Sequence, residues 1–284
     1  MSDMPTSTRS LFSSVGLATM IALVLIWTTA PIVWQVLTAV KPDAQITQTP
    51  TVYWPRPPTS EHFVTLWERK PLATYLQNSA LVSASATALA VCLAAIAAVP
   101  LSRMAAAKRN RTLLIFLAVS VFPPILLLFP LYEGVRALGW VNHRLALIVP
   151  YAALALPLAV WILESGFRRI PREIEEAALL DGLSPTARLV RIHAPLAAPS
   201  VVTAAILAFI FCWNEFMMAL TFTPRDDAKT VTAGVASVSG SSIYEIPWGQ
   251  LSAAVLLTTL PLVILVLLFE RRIVSGLTRG AIKG

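Results

Sequence analysis

Six apolar runs, each on the order of 20 residues, recur along the chain at about 15–40, 78–101, 112–132, 145–166, 201–222 and 251–269. A helix of that length rises through the hydrocarbon of a bilayer, so the runs predict six transmembrane helices. Composition agrees: 56% of residues are apolar, 13% are charged and the mean hydropathy is +0.71, far from the balance of a soluble domain. No polar stretch among the 284 residues is long enough for a separate soluble unit, so the expected fold is all-α integral membrane.

Loops and charges set the expected topology. Residues 1–14 are polar, and the first run is too long for the apolar core of a signal peptide, so it reads as an uncleaved span. Residues 41–76 carry Pro42, Pro50, Pro55, Pro57, Pro58 and Pro71, too many for one helix. Asn78 opens the second run, whose alanines and serines let neighbouring helices approach closely. Phe122-Pro123-Pro124 and Pro130 should kink the third. Six spans put both ends of the chain on one side. Lysine and arginine number fourteen in segments 1–14, 103–111, 168–191 and 270–284, against eight in loops 41–76, 133–144 and 223–250. The first set, with segment 1–14 and tail 273–284, is therefore assigned to the cytoplasm, and the three loops to the periplasm. The domain expectation is one six-span unit over 15–272. The basic residues are dispersed between spans, so the net charge of +7 does not point to nucleic acid.

The longest strongly polar segment is Pro171–Pro195, PREIEEAALLDGLSPTARLVRIHAP. Pro171 suits a first helical turn, Glu173, Glu175 and Glu176 favour its positive end, and Gly182 can take the left-handed turn that ends it. Ser184 then caps a second helix opened by Pro185, which Pro195 is expected to stop. Ile174, Ala177, Ala178 and Asp181 fall at i, i+3, i+4 and i+7, giving one flat face that another protein could approach. Read from the residues alone, this pair is more simply an amphipathic segment on the membrane surface.

Glu176-Ala177-Ala178, two residues on Asp181-Gly182, then Ile192 and Pro195 at their spacing resemble the EAA signature of binding-protein-dependent ABC importer permeases. Leu183, Leu189 and Ala194 depart from the usual pattern. The resemblance implies a cytoplasmic helix-turn-helix over 167–200 that docks into an ATPase subunit, with Glu176, Ala177, Ala178, Asp181, Gly182, Ile192 and Pro195 as the coupling residues. Asn78-Ser79, Trp213-Asn214-Glu215 and the closing Gly276–Gly284 are similar to the MalG-like sugar-importer branch. That branch implies a second, dissimilar permease, two ATPase subunits that carry the ATP and magnesium, and a periplasmic solute-binding protein, all at the bacterial inner membrane. The implied cargo is a sugar or sugar-like osmolyte of the trehalose, maltose or glucosylglycerol type.

The chain itself holds no sign of an energy source or an enzyme. None of the eleven glycines is followed by lysine, so a phosphate-binding Walker loop is absent. Neither a nucleophile elbow nor paired acids for hydrolysis occur, Cys92 and Cys212 lie inside apolar runs, and His62, His143 and His193 lack metal-ligand spacing and read as ordinary polar residues. No bound cofactor or metal is expected. Trp213, Asn214 and Glu215 offer an aromatic face beside polar groups within a span, a pattern suited to a sugar, although Glu215 pairing with a neighbouring helix reads equally well. Asn78 joins them as a weaker path residue, more simply explained as a helix cap. Gly240, Ser241 and Ser242 lie in a flexible stretch of loop 223–250, which in relatives probes the binding protein. Importers of glycerol 3-phosphate or another small polar solute share the scaffold, and an ion-coupled secondary transporter is the reading from another class.

Overall fold

Small residues recur along one face of the second apolar run, and that face is where the protein packs most closely. The computed structural model of the chain describes residues 6–238 and 246–281, with side chains over 16–238 and 246–269. Among these residues regular structure is entirely helical. In chain order the helices are α1 (Thr6–Ala39), α2 (Asp43–Ile46), α3 (Glu61–Arg69), α4 (Leu72–Arg103), α5 (Ala106–Val121), α6 (Pro124–Ala137) and α7 (Leu145–Phe167). There follow α8 (Arg172–Leu180), α9 (Pro185–Arg188) with a π turn over Leu189–His193, α10 (Ala194–Leu196), α11 (Ala198–Asn214), α12 (Met217–Phe222), α13 (Val231–Ala236) and α14 (Trp248–Ala281).

Among the described residues four helices are long and apolar enough to cross a membrane, and six spans result if each of two bent pairs counts as one. One pair is α5 with α6, bent by 83° at the expected Phe122-Pro123-Pro124 break, which is a corner rather than a kink. The other joins the α9–α10 segment to α11, bent by 89° at Ala197. Several span boundaries differ from the hydropathy reading, and two of them bear on the residues singled out above. The second span begins at Leu72, so Asn78 is interior to α4 and does not cap it. The fifth stops at Asn214, and Glu215 is extended before α12 starts. The apolar run continues through this break, which is why hydropathy alone joins the two pieces.

The chain divides into two compact units, Met1–Lys70 with Val238–Thr259, and Pro71–Ser237 with Leu260–Gly284. In the first, α1 keeps its large apolar side chains exposed, Trp27 among them, as a lipid-facing helix does. Lys41 beyond its end is buried, with Nζ 4.5 Å over the Trp34 ring, and its carbonyl bonds the His62 ring 2.7 Å away. Gly249 has no room for a side chain, because the His62 ring occupies the place a Cβ would take.

In the second unit α4, α7 and α11 form the core. Val82, Ala86 and Ala90 of α4 pack in one buried cluster with Tyr151, Ala152, Ala155, Ala208 and Phe222. Ala94, Ala98 and Leu101 continue the stripe in a second cluster with Ala159, Leu163, Phe167 and Ala204. Small side chains let the backbones approach, and without a hydrophobic drive between helices in lipid, that contact supplies the packing energy. At the α7–α11 crossing the fit is so close that a Cβ on Gly166 would overlap Ser200.

Candidate functional site

The two ends of this core carry the polar residues. At one end α8 runs from Pro171 to a turn built as a Schellman motif: Leu183 N–H donates to the Ala178 carbonyl at 3.0 Å, Gly182 N–H to that of Leu179 at 3.0 Å, and Gly182 sits at φ +73°. Ser184 accepts from Ala187 N–H at 3.3 Å and caps α9, as its position in the sequence predicts. Pro195, expected to stop this second helix, instead lies inside it. The chain widens to a π turn before Pro195, with Ala194 N–H reaching back to the Leu189 carbonyl, and the helical path ends only at Ala197. The expected flat face is also divided. Ile174, Ala177 and Asp181 are exposed, whereas Ala178 turns inward against the protein. Glu176, Gly182 and Pro195 are exposed, Ile192 is half-buried, and Leu180 projects with 90% of its surface free.

Three residues outside the expected coupling set anchor this element. Arg103, at the last turn of α4, donates to the Ile170 carbonyl from both terminal nitrogens at 3.1 Å, to the Phe167 carbonyl at 3.4 Å, and to Glu175 Oε1 at 2.5 Å. The same Glu175 oxygen meets Nε2 of His193, whose Nδ1 is 3.1 Å from the Arg188 carbonyl and whose ring packs edge-on against Phe167. His193 is thus buried and specifically bonded, not an ordinary polar residue. Burial pushes the Glu175 carboxyl up, but the bonds from Arg103 and His193 outweigh it and hold the group below the usual carboxylate range. The Arg103–Glu175–His193 chain of bonds therefore joins α4, the end of α7, α8 and the π turn. Sequence spacing gives little sign of it: Glu175 directly precedes the motif and His193 falls in its Ile-to-Pro gap, but Arg103 stands 72 residues away and reads only as a topological charge.

At the other end of the core, Tyr151 donates to Glu215 at 2.6 Å. The Glu215 carboxylate also receives Met218 N–H at 3.1 Å and Ala219 N–H at 3.3 Å, so it closes the start of α12 and ties that helix to α7. Of the two sequence readings, pairing with a neighbouring helix is the one with visible contacts. Trp213 is buried beside Phe209, while Asn214 is exposed and donates to the Ile210 carbonyl at 2.8 Å. Asn78 is fully buried. Its amide donates to the Asp227 and Lys229 carbonyls at 3.0 and 2.9 Å, and its oxygen accepts from Arg144 at 2.9 Å. Those bonds use all its directed donors and pin a segment that composition marks as flexible.

Further bonds fix the same segment. Tyr75 donates to Asp226 at 2.7 Å, Val231 N–H to Ser79 at 2.8 Å, and Asn142 to Asp227 at 2.6 Å. The Asn142 bond and then Arg225 hold the Asp227 carboxyl below its usual range. A Cβ on Gly234 would overlap the Tyr75 ring, so α13 lies close on α4. Residues 223–236 are consequently an ordered strap rather than a linker. Gly240, Ser241 and Ser242, expected to reach a binding protein, lie outside the described residues. Among the described residues no group of histidine, cysteine and acidic side chains is placed to hold a metal.

Residues 79–279 match the family described as binding-protein-dependent transport system inner membrane component. The trehalose/maltose transport system permease protein MalG of Thermococcus litoralis is 40% identical over 256 residues, 89% of this chain and 91% of that protein. The sulfoquinovosyl glycerol transport system permease protein SmoH of Agrobacterium fabrum is 38% identical over 89% of this chain and 88% of its own length. In fold, the chain resembles one in the crystal structure of a bacterial ABC transporter involved in the import of the acidic polysaccharide alginate. The TM-score is 0.76 at 17% identity, over 95% of this chain and 99% of that one.

Proposed function

The chain belongs to the family of binding-protein-dependent transport system inner membrane components, and from that premise we propose that it is the permease subunit of an ATP-driven importer of a sugar or sugar-like osmolyte. The observation that carries the mechanism is the joint at Glu175. A docking element useful for transport must be fixed to the helices it moves, and Arg103, Glu175 and His193 bond α8 and the π turn to the ends of α4 and α7. Exposed Leu179, Leu180 and Val190 offer apolar contact to a partner on the far side.

On this reading the α8 edge faces the cytoplasm, in keeping with the distribution of lysine and arginine. Two partner ATPase subunits bind ATP and magnesium, and one of them grips the Glu176–Gly182 turn while the other docks on the second permease. A second, dissimilar permease completes the pathway, and a solute-binding protein delivers cargo at the strap-bearing edge, with Gly240, Ser241 and Ser242 as its proposed contacts. Closure of the ATPases swings the joint with α4 and α7, and the permeases alternate between inward and outward access. Asn214 is the exposed polar group of the path set; Glu215 shapes the break beside it, and Trp213 and Asn78 frame the walls.

The test is uptake by the reconstituted complex of labelled trehalose, maltose, glucosylglycerol and glycerol 3-phosphate. Uptake of a sugar is expected only with ATP, both ATPase subunits and the binding protein together. Accumulation by vesicles lacking the ATPases would overturn the mechanism, and exclusive uptake of the phosphate ester would overturn the substrate class.

A further inference from the structure

Beside the Glu175 joint, and unused by it, a charged cavity shares two lining residues with an apolar groove. The cavity, of about 390 Å³, lies among the start of α5, the end of α7 and the start of α11, and Arg109, Arg168 and Arg169 line it with Ser165 and Ser200. Its one acidic lining residue, Glu164, is buried and meets Arg168 Nε at 3.1 Å and Arg109 Nε at 3.5 Å. Pairing through Nε leaves both terminal amino groups of Arg168 without a partner among the described residues. Arg169 is exposed and pairs with no side chain there either. Three guanidinium groups against one carboxylate leave the cavity strongly electropositive.

Leu113 and Trp161 line this cavity and also a second one of about 280 Å³, walled by Phe116, Leu117, Pro157, Leu158 and Phe211. The groove follows α5 from Leu113 to Ser120 and α7 from Trp161 back to Ala153, about 10–12 Å at helical rise. Half the hydrocarbon core of a bilayer is about 15 Å thick, so the groove covers most of one leaflet. An anionic head at the membrane edge and an apolar tail running inward is the shape of one lipid molecule.

We infer that this paired cavity is a binding site for an anionic phospholipid of the leaflet on the α8 side, with the phosphate held by Arg168 and Arg169 and an acyl chain laid in the α5–α7 groove. Basic pockets between membrane helices recognise acidic headgroups by charge-assisted hydrogen bonds, and guanidinium suits phosphate better than a point charge does. Glu164 lies within ion-pair distance of Arg168 and so draws that side chain to the cavity before a lipid arrives. The site stands whether or not the transport reading holds; only the naming of the leaflet as cytoplasmic depends on that reading.

The test uses the full chain in phosphatidylcholine vesicles doped with phosphatidylglycerol or phosphatidylcholine brominated on the acyl chain. Bromine quenches nearby tryptophan, and subtracting the Trp161→Phe variant isolates the signal at the groove. Quenching should favour phosphatidylglycerol, and Arg169→Gln, which leaves the Glu164 pairs intact, should cut that preference about fivefold. Arg168→Gln should do the same. Equal quenching by both lipids, or an unchanged preference in both variants, would overturn the inference. Reversal by excess inorganic phosphate would make it a soluble-anion site instead. Loss of quenching on assembly of the complex would assign the groove to another membrane helix, and either result sinks the proposal.

Discussion

Arg103 holds α4, the end of α7 and α8 together through one planar group, and the consequence is testable at that residue. Its carboxylate partner Glu175 and the two carbonyls at the end of α7 are all part-buried, so removing the guanidinium strands them rather than merely deleting a contact. Arg103→Ala should destabilise the assembled permease by about 3 kcal/mol, the low end for breaking a buried pair, since the side chain keeps 21% of its surface exposed. Arg103→Lys should recover only part, because an ammonium cannot serve two carbonyls and a carboxylate in one plane. The decisive readout is solute moved per ATP hydrolysed: it should fall about tenfold in Arg103→Ala with ATPase subunits still bound, a loss within the range of ordinary coupling energies. An unchanged ratio would leave the joint structural only. The pH dependence has a definite sign. Glu175 is held below its ordinary range, so its contribution is complete above the unfolded carboxylate value and is lost only as pH falls through the lower folded one. Transport measured at neutral pH should therefore carry no titration from this group.

The turn between α8 and α9 tests the same idea at the level of an element. Gly182 has φ +73° and open space where a Cβ would stand, so any cost of substitution is backbone strain and not collision. Gly182→Val should cost about 1–2 kcal/mol and reorient α9, reducing uptake, whereas Gly182→Asn, which tolerates the left-handed region, should keep most of it. Equal uptake by both would remove the turn from the mechanism. This turn was legible because its signals are local: glycine for the left-handed residue, Ser184 for the cap and Pro185 for the first helical position each act within a few residues. The π turn over Leu189–His193 was not, since nothing in the local pattern separates a widened turn from an ordinary one. Hydropathy likewise found the apolar runs, but it averages over the Glu215 break and over the six residues by which α4 precedes Asn78. The order of the strap over 223–236 is hidden from the sequence for a related reason. Its composition is that of a loop, and its order comes from Tyr75, Asn78, Ser79 and Asn142, partners about 80 to 150 residues away in the chain.

Across the whole second unit, the two buried clusters are consecutive lengths of one interface, because the alanine stripe of α4 runs through both without a polar interruption. A push delivered at Arg103 therefore meets tightly packed α4, α7 and α11, which transmit displacement because close-packed interiors yield little. Gly166 is where that packing has least slack, directly before Phe167 of the joint and facing Ser200 on α11. Gly166→Ala places a methyl on the Ser200 side chain, so the helices must separate, at a cost of about 1–3 kcal/mol for overpacking. Ser200→Gly removes the opposing atoms, and the double variant should regain most of the loss, a non-additivity characteristic of residues in contact. Thermal midpoints of the purified protein in detergent would measure both terms, and solute-to-ATP ratios in vesicles would show whether coupling follows stability. If the two substitutions were simply additive, the α7–α11 contact would not be the tight crossing described above, and α11 would have to move with the joint by some other route.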